Sequence, residues 1–356
     1  MRIEKPTLVV DSARVERNIQ RMADKAVKSG VVFRPHFKTH QSPVIGEFFR
    51  KKGVNKITVS SVDMAFFFAE EGWDDITIAF PVNILQIDRI NQLAGMIKLH
   101  LLVESTETIR FLADHITDHV SVWIEVDTGQ KRSGIDAEDK DSILNCASAI
   151  EALKNLSFGG LLTHAGHTYR ASSTEEIKRI YADSIKKLNS LRDKLLRKGI
   201  KEVKLSVGDT PSCSIVEDLS EADEIRPGNF VYYDLKQLEL GSCKEEDIAV
   251  AVGCPVVAKC PRRNEVIVYG GAVHLSKEHL VDSRNCKIFG RIAMESGEKW
   301  GTVLDDSYVS SLSQEHGVIK TTPEILNQVN RGDILYIIPV HSCLAANLLR
   351  DPLILP

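Results

Sequence analysis

The sequence predicts an α/β protein in which a (β/α)8 barrel of the TIM type is followed by a smaller β-rich domain. Three observations predict this fold. The chain has 356 residues, which is long for one average domain but suits a barrel with one smaller module. From Val31 onward, short β-branched runs alternate with longer amphipathic stretches, as parallel βα units require. Beyond Asp234 the runs are β-rich, are separated by turn residues and contain no long helical pattern.

Eight short apolar segments are predicted to form the barrel strands, and eight is the number that closes such a barrel. Helical patterns separate them, and the longest extends from Thr174 to about Gly199, a glycine that fits a helix C-terminus. We expect a barrel domain over residues 1–234 and a β-rich domain over residues 235–356. An earlier strand, residues 6–11, could join the second domain. The predicted barrel strands begin at residues 31, 56, 75, 98, 120, 158, 202 and 224.

The composition is that of an ordinary globular protein and argues against several classes of function. Hydrophobic residues make up 43% and charged residues 26%, so a sizeable core can be buried. A net charge of -4 argues against binding to nucleic acid or anionic lipid. The N-terminus lacks a secretory signal pattern, no apolar run approaches the ~20 residues that cross a bilayer, and the seven cysteines include no CxxC pair. We expect a cytoplasmic protein with reduced thiols and a small-molecule ligand, and no membrane partner.

Lys38 is the first candidate for chemistry. Catalytic groups of (β/α)8 barrels lie at the C-terminal ends of the strands, and Lys38 follows the first predicted strand. Its neighbours Arg34, His36 and His40 are basic. Partial burial beside other positive charges frees a lysine amine for condensation with a carbonyl group. The alternative is an ordinary surface or salt-bridged lysine.

A second candidate is the loop between the seventh predicted strand and a short helix. Its exposed N–H groups, hydroxyls and helix N-terminus favour a phosphate dianion, and loops after strands seven and eight are the usual phosphate position in barrels. The alternative is a capped turn, in which Asp209 or Thr210 only starts the helix. The residues concerned are Gly208, Asp209, Thr210 and Ser212, together with the turn from Arg226 to Asn229 after strand eight.

Two other strand ends carry polar side chains. Arg132 follows strand five, and its planar guanidinium suits a carboxylate because it can donate two parallel hydrogen bonds. The alternative for Arg132 is a solvated turn. His164 and Tyr169 follow strand six. The tyrosine could reach a substrate or cofactor oxygen, or it could be a packing residue with a solvated hydroxyl.

In the second domain, His341 and Cys343 come at the end of a predicted strand. An imidazole and a thiolate separated by one residue can point to the same side of a strand and chelate one metal ion. A thiolate ligand favours Zn2+, whereas a carboxylate in its place would favour Mn2+ or Mg2+. His274 could face the same cleft, and the sequence leaves its chemistry open.

Taken together, these motifs resemble the D-threonine aldolase and D-serine dehydratase family of alanine-racemase-like pyridoxal-phosphate enzymes. The Arg-Pro-His-x-Lys-Thr-His segment, the Gly-x-Thr-Pro-Ser loop, the Arg-Pro-Gly turn and the terminal His-x-Cys occur in family order over almost the whole chain. The resemblance implies a pyridoxal 5'-phosphate cofactor held as a Schiff base on Lys38, with its phosphate at the loop around Thr210. It also implies that Arg226 faces the pyridine nitrogen, although an ion pair with Glu224 or Asp223 is the alternative.

The resemblance assigns roles to the remaining candidates and a metal to the second domain. The metal would be divalent, with Zn2+ favoured and Mn2+ or Mg2+ as alternatives. The implied roles are ring packing for His164, binding of the substrate carboxylate for Arg132, backbone contacts to the phosphate for Gly228 and Asn229, and metal binding for His341 and Cys343.

The activity that the resemblance implies is a lyase acting on a D-3-hydroxy amino acid. The leading expectation is D-serine dehydratase chemistry, which yields pyruvate and ammonia. Lys38, once released by the substrate amine, would remove the α-proton, and Zn2+ would stabilise the departing hydroxide. D-threonine aldolase chemistry, yielding glycine and an aldehyde, is the first alternative, followed by an amino-acid racemase and a non-catalytic pyridoxal-phosphate carrier. The resemblance also implies a homodimer with a shared active site.

Overall fold

The computed structural model describes residues 3–297 and 299–356, and these divide into two compact units. The barrel-like unit consists of residues 20–38 and 42–228. The β-rich unit consists of residues 3–19, 39–41 and 229–356. The chain therefore enters the β-rich unit three times, and a single boundary does not describe the division.

Strands and helices alternate in the barrel-like unit, whereas strands dominate the β-rich unit. None of the described helices has the length and apolar character needed to span a lipid bilayer. The strands are β1 (Thr7–Asp11), β2 (Val32–Phe33), β3 (Ile57–Val59), β4 (Asp75–Pro81), β5 (Lys98–Val103), β6 (Val120–Asp127), β7 (Ile135–Asp136), β8 (Leu156–Leu162), β9 (Lys204–Val207), β10 (Glu224–Ile225), β11 (Val250–Cys260), β12 (Glu265–Tyr269), β13 (Leu280–Val281), β14 (Lys287–Ile288), β15 (Gly290–Ser296), β16 (Lys299–Leu312), β17 (His316–Lys320), β18 (Ile334–Pro339) and β19 (Leu353–Leu355). The helices are α1 (Ser12–Ser29), α2 (Pro43–Arg50), α3 (Val62–Glu70), α4 (Ile87–Ala94), α5 (Thr106–His115), α6 (Lys140–Glu151), α7 (Thr174–Arg197), α8 (Thr210–Ile215), α9 (Leu235–Glu239), α10 (Ala272–Leu275), α11 (Pro323–Gln328) and α12 (Ser342–Leu348).

The barrel-like unit is built on one parallel sheet. Eight strands follow the order β2-β10-β9-β8-β6-β5-β4-β3, and β7 pairs only with β6. Each of the eight segments predicted as a barrel strand overlaps one strand of this path. A further parallel bridge joins His36 to Thr58 in β3. The predicted parallel βα architecture is therefore confirmed as a barrel-like sheet.

The last predicted barrel strand is wrong over most of its length. The sequence predicts a strand over residues 224–234, but β10 ends at Ile225 and a 3-10 turn covers Asn229–Val231. Pro227 has no N–H group to donate to a sheet, so the ladder stops immediately before it. The chain that follows β10 is therefore available as a loop at the C-terminal edge of the sheet.

A buried polar network ties the short strands β2 and β10 into the sheet. Arg34, directly after β2, places Nε 2.6 Å from Glu224 Oε2 and Nη1 2.5 Å from Asp75 Oδ1. His100 Nε2 lies 3.0 Å from the same Asp75 oxygen. Burial opposes ionisation of Asp75, but the bonds from His100 and Arg34 outweigh it and hold its pKa well below its usual range. Charge pairing therefore supplements the backbone ladder where the strands are shortest.

The β-rich unit is built on one mixed sheet with the strand order β12-β17-β16-β15-β18-β11-β1-β19. Its strand pairs are antiparallel except for β1 and β19, and β11 also pairs with β12. The N-terminal strand β1 lies in this sheet, with Thr7 opposite Gly253 and Val10 opposite Val250. Strand β18 leads directly to His341, so the sheet sets the position of that residue.

Two glycines with positive φ provide a test of how closely the parallel strands pack. Gly160 in β8 has φ +133°, and a Cβ there would lie 2.2 Å from the carbonyl oxygen of Lys204 in β9. Gly199, after α7, has φ +94° with no atom within 4 Å of the same position. We expect Gly199→Ala to lower the free energy of unfolding by about 1–2 kcal/mol through backbone strain alone. Gly160→Ala adds a backbone collision and should cost about 3 kcal/mol or more.

The comparison is made by urea denaturation of both variants beside the parent protein. Equal losses of unfolding free energy in the two variants would show that the close approach of β8 and β9 does not exist.

Candidate active site

Lys38 is placed by the buried aromatic ring of the residue before it. Phe37 is fully buried, and its ring centroid lies 5.0 Å from that of Phe49, 5.0 Å from that of Phe68 and 4.9 Å from that of Trp73. Burial of such a ring contributes about 1.5–3 kcal/mol, enough to hold this part of the chain in one position. The backbone amide of Lys38 points back to Nδ1 of His36 at 3.4 Å.

Positive charge and neutral imidazoles surround Lys38. Burial lowers the pKa of His36 well below its ordinary value and that of His164 to about 3. The charges of Lys38, Arg226 and Arg132 act on both rings in the same direction. Both imidazoles are therefore neutral at pH 7, while the lysine and the two arginines leave the site with excess positive charge. Such a site suits an anionic ligand.

Arg226 is buried and held by the barrel-like sheet. Its Nε donates to Oγ of Ser206 at 2.7 Å, and its Nη2 donates to the carbonyl oxygen of Thr163 at 2.6 Å. Of the two acidic partners considered from the sequence, Glu224 bonds to Arg34 and Ser206, and Asp223 pairs with Arg192 at 3.5 Å. Burial lowers the pKa of Arg226 to about 10, which still leaves it charged at neutral pH.

The loop before α8 contains the capped turn that the sequence left open as an alternative. Asp209 is the cap, because its Oδ1 accepts from the Ser212 amide at 2.7 Å and from the Thr168 hydroxyl at 3.0 Å. Burial raises the pKa of Asp209 to about 6. The carbonyl of Gly208 accepts from Nδ1 of His164 at 2.6 Å. The loop is therefore joined to the ring that neighbours Lys38.

Three polar groups of this loop fit a phosphate. Ser212 is buried, yet its Oγ has no hydrogen-bond partner in the part of the chain that the structure describes. An unsatisfied buried hydroxyl costs about 1–3 kcal/mol, so a missing ligand is the economical explanation. The hydroxyl of Tyr169 lies 3.4 Å from the amide nitrogen of Thr210. A Cβ on Gly208 would lie 2.9 Å from the backbone of Arg226, so only glycine permits this packing. The residues present fit the phosphate end of pyridoxal phosphate.

The loop that carries Arg132 is shaped by two carboxylates. Asp127 accepts from the amides of Gly129 at 2.8 Å and Lys131 at 2.9 Å, and Lys131 has φ 56°. Glu125, which is buried, accepts from the Ser133 hydroxyl at 2.9 Å. Burial raises the pKa of Glu125, and the charge of Arg132 opposes that change. Arg132 thus has a buried acidic neighbour that can hold its guanidinium.

In the β-rich unit, His341 lies between β18 and α12, and Cys343 is the second residue of α12. The Cys343 thiol lies within hydrogen-bond reach of the His341 imidazole. Thr39 Oγ1 lies 3.2 Å and Asn229 Nδ2 lies 3.6 Å from the Cys343 sulfur. The residue between the pair, Ser342, is fixed because its amide donates to Asp234 at 2.9 Å.

A carboxylate contacts the other edge of the histidine. Glu278 Oε2 lies 2.8 Å from His341 Nδ1. Burial would lower the pKa of His341, but Cys343 and Glu278 outweigh it and raise the pKa to about 11. The imidazole therefore holds a proton between the thiol and the carboxylate, in the place where a cation would bind.

The donor set fits an open metal site. Imidazole and thiolate are ligands that suit Zn2+. Among residues 3–297 and 299–356, no group of three or more His, Cys, Asp or Glu side chains is arranged to hold a metal. A metal on His341 and Cys343 would therefore keep positions for water or substrate, which is the arrangement of catalytic rather than structural sites.

Several contacting residues escape a reading of the sequence. From the sequence, His36 is only a basic neighbour of Lys38, and no local motif marks Glu125 or Glu278, or marks Asp234 as a partner of Ser342. Glu278 and His341, for example, are separated by 63 residues. The buried charge of Glu125 inside an apolar strand was the one available signal. His274, whose role the sequence leaves open, accepts from the Gly271 amide at 3.2 Å and lies 3.7 Å from Glu315.

Two protein-family models match consecutive parts of this chain. Residues 10–236 match the alanine racemase N-terminal domain, and residues 249–355 match the serine dehydratase domain. The D-serine dehydratase of Dictyostelium discoideum is 31% identical over 97% of this chain and 91% of its own length. The D-threonine aldolase of an Arthrobacter species is 25% identical over 96% of this chain and 86% of its own length.

A solved structure extends the similarity to three dimensions. The D-threo-3-hydroxyaspartate dehydratase from Delftia superposes with a TM-score of 0.92 at 27% identity, covering 99% of this chain and 94% of that one. A variant of that enzyme with a cysteine replaced by alanine is described as the metal-free form, and it superposes with the same TM-score at 26% identity, covering 99% of this chain and 95% of that one.

Removal of the Ser212 hydroxyl tests the fit of the loop to a phosphate. In Ser212→Ala we expect the dissociation constant of pyridoxal phosphate to rise about 10- to 100-fold, since a hydrogen bond to a charged group contributes about 1.5–3 kcal/mol. The apoprotein should unfold with an equal or higher free energy, because the variant loses a buried hydroxyl that has no partner among the described residues. Fluorescence titration of each apoprotein measures the dissociation constant of pyridoxal phosphate for Ser212→Ala and for the parent protein.

Pyridoxal without its phosphate is the matched control ligand. It should bind Ser212→Ala and the parent protein equally. If pyridoxal phosphate also bound the two proteins equally, Ser212 would not contact the phosphate.

Proposed function

Because this chain belongs to the family that joins an alanine racemase N-terminal domain to a serine dehydratase domain, we propose that it is a pyridoxal-phosphate-dependent lyase that converts D-serine into pyruvate and ammonia. The observation that carries the choice of reaction is the facing imidazole and thiol of His341 and Cys343. This pair favours Zn2+ over the harder cations, and Zn2+ can assist the departure of a hydroxide.

The barrel-like unit supplies the base and the anchors. Pyridoxal phosphate, when bound, stabilises the negative charge that develops at the substrate Cα as its proton leaves. Lys38 is the side chain for linking the cofactor and for taking the α-proton. Arg132 is placed to bind the substrate carboxylate through two parallel N–H groups. Arg226 presents a fixed, charged guanidinium to the ring nitrogen, since Ser206 and Thr163 hold its other N–H groups.

The loop from Gly208 to Ser212 holds the phosphate in this proposal. The Ser212 hydroxyl donates, and the hydroxyl of Tyr169, which accepts from the Thr210 amide at 3.4 Å, borders the same position. The backbone of Gly228 and Asn229 is the second phosphate contact. His164 packs against the ring as a neutral imidazole, since burial keeps its pKa near 3.

The β-rich unit holds the divalent metal in this proposal. A divalent metal, when bound, acts as a Lewis acid on the substrate hydroxyl. His341 and Cys343 hold it, with Zn2+ favoured over Mn2+ or Mg2+ by the thiolate. Asp234 keeps the two ligands in register by fixing Ser342 between them.

D-threonine aldolase chemistry is the second candidate, favoured by the similarity to the Arthrobacter enzyme over 96% of this chain. In that reaction His341 and Cys343 would hold the same metal, which would supply a Lewis acid for the substrate hydroxyl. An amino-acid racemase would need a second base, and a non-catalytic cofactor carrier would leave the contacts of His341 and Cys343 without a purpose.

We further propose a closed (β/α)8 barrel and a homodimer in a reducing cytoplasm. The bridge between His36 and Thr58 supports the closure. Exposed apolar side chains, Phe80 at the end of β4 and Leu85 in the 3-10 turn that follows, support a second copy as the partner. In this dimer the β-rich domain of one subunit completes the barrel mouth of the other. The described cysteines are all free thiols, which supports the compartment.

Product analysis of the protein loaded with pyridoxal phosphate and Zn2+ decides between the two lyases. With D-serine we expect pyruvate and ammonia in equal amounts, and with D-threonine we expect 2-oxobutyrate rather than glycine. Chelation of the metal should lower kcat for D-serine by at least tenfold while the cofactor stays bound. Glycine and acetaldehyde from D-threonine, without any pyruvate from D-serine, would overturn the dehydratase proposal in favour of the aldolase.

A further inference from the structure

We propose that Glu278 is a positioning residue that orients the His341 imidazole so that its Nε2 atom binds a divalent metal ion. The inference deepens the proposed function and rests on it, since it concerns the metal that this function uses. No local sequence motif marks Glu278, which lies in the loop between α10 and β13.

The contact with Glu278 determines which ring nitrogen of His341 is available to a metal. Glu278 Oε2 lies 2.8 Å from His341 Nδ1, a normal distance for a charge-assisted hydrogen bond. A histidine that donates Nδ1–H to a carboxylate presents the lone pair of Nε2 to a metal, and the carboxylate increases the basicity of that nitrogen. Glu278 thus fixes both the tautomer and the orientation of the ring.

Polar groups surround the Cys343 thiol. Cys343 lies within hydrogen-bond reach of the imidazole, and Thr39 Oγ1 lies 3.2 Å from its sulfur. The hydroxyl of Tyr232 is buried and has no hydrogen-bond partner among the described residues. The charge of Cys343 disfavours ionisation of this hydroxyl. The imidazole therefore has a carboxylate partner at Nδ1, and the thiol has polar neighbours of its own.

A turn and a helix contact hold Glu278 in place. Ser276 has φ 66° and turns the chain after α10, and its Oγ accepts from the Glu278 amide at 3.3 Å. Helix α10 contacts α12, which begins directly after His341. The loop and the histidine are thus connected through two short helices of one unit.

Loss of the Glu278 carboxylate should weaken metal binding and leave folding stability almost unchanged. The Glu278 side chain is 53% exposed, so its ion pair with His341 contributes little to folding stability. Removing an outer carboxylate from a metal-bound histidine typically weakens metal binding 10- to 100-fold. Glu278→Ala should therefore change the metal affinity while leaving the thermal unfolding of the metal-free protein unchanged.

The test is the Zn2+ dissociation constant of the pyridoxal-phosphate-loaded protein, measured by competition with a chromophoric chelator. We expect a 10- to 100-fold increase for Glu278→Ala and a smaller increase for Glu278→Gln, which retains a hydrogen-bond acceptor without the charge. Glu315→Gln is the matched control, because Glu315 faces His274 at 3.7 Å in the same unit and should leave the constant unchanged.

Cobalt substitution separates a positioning residue from a direct ligand. The thiolate-to-Co2+ absorption band and the ligand-field bands should keep their wavelengths and intensities in saturated Glu278→Gln, since no bound atom changes. A changed ligand-field spectrum would make Glu278 a ligand and overturn the proposal.

The remaining outcomes distinguish this inference from the proposed function. Equal Zn2+ affinity in Glu278→Ala and the parent overturns the inference alone, provided that His341→Ala weakens binding. If His341→Ala binds Zn2+ as tightly as the parent, the metal site of the proposed function fails, and the inference fails with it.

Discussion

The positions of Lys38 and Arg226 in the barrel-like unit depend on the buried charge pairing of Arg34. Strands β2 and β10 have only two residues each, so their backbone ladders are weak. Arg34 joins them by binding Glu224 at 2.6 Å and extends the connection to Asp75 at 2.5 Å. Removing one partner of such a pair leaves a buried charge without compensation, at a cost of about 3–5 kcal/mol. Lys38 lies four residues after Arg34, and Arg226 lies two residues after Glu224, so the same pairing sets both.

The two units divide the chemistry by charge. Around Lys38 the ionised groups are cationic and the two imidazoles are neutral, an arrangement that takes an anionic cofactor and a substrate carboxylate. Around His341 the neighbours are a thiol and carboxylates, an arrangement that takes a cation. The two sites thus suit ligands of opposite charge. Ser206, Asp209 and Asp234 hold the loops around them.

The sequence predicts the strands of the parallel sheet for one reason and misses the supports of the candidate loops for another. Parallel strands place their C-terminal ends at one edge of a sheet, so the residues after each predicted strand, such as Lys38 and the Gly208 loop, could be grouped without a structure. The predicted strand that begins at Glu224 is too long because Pro227, which has no N–H group to donate to the sheet, ends the backbone ladder early. Glu125 and Glu278 stayed hidden because their contacts are set by tertiary packing, to which no periodicity or motif points.

The central claim is that Lys38 carries the cofactor, and borohydride reduction tests it most directly. The protein is loaded with pyridoxal phosphate, reduced, digested and analysed by mass spectrometry for the lysine that bears the pyridoxyl group. The account predicts stoichiometric labelling of the peptide containing Lys38 and no labelling after Lys38→Ala. Equal labelling of another lysine in both proteins would contradict it.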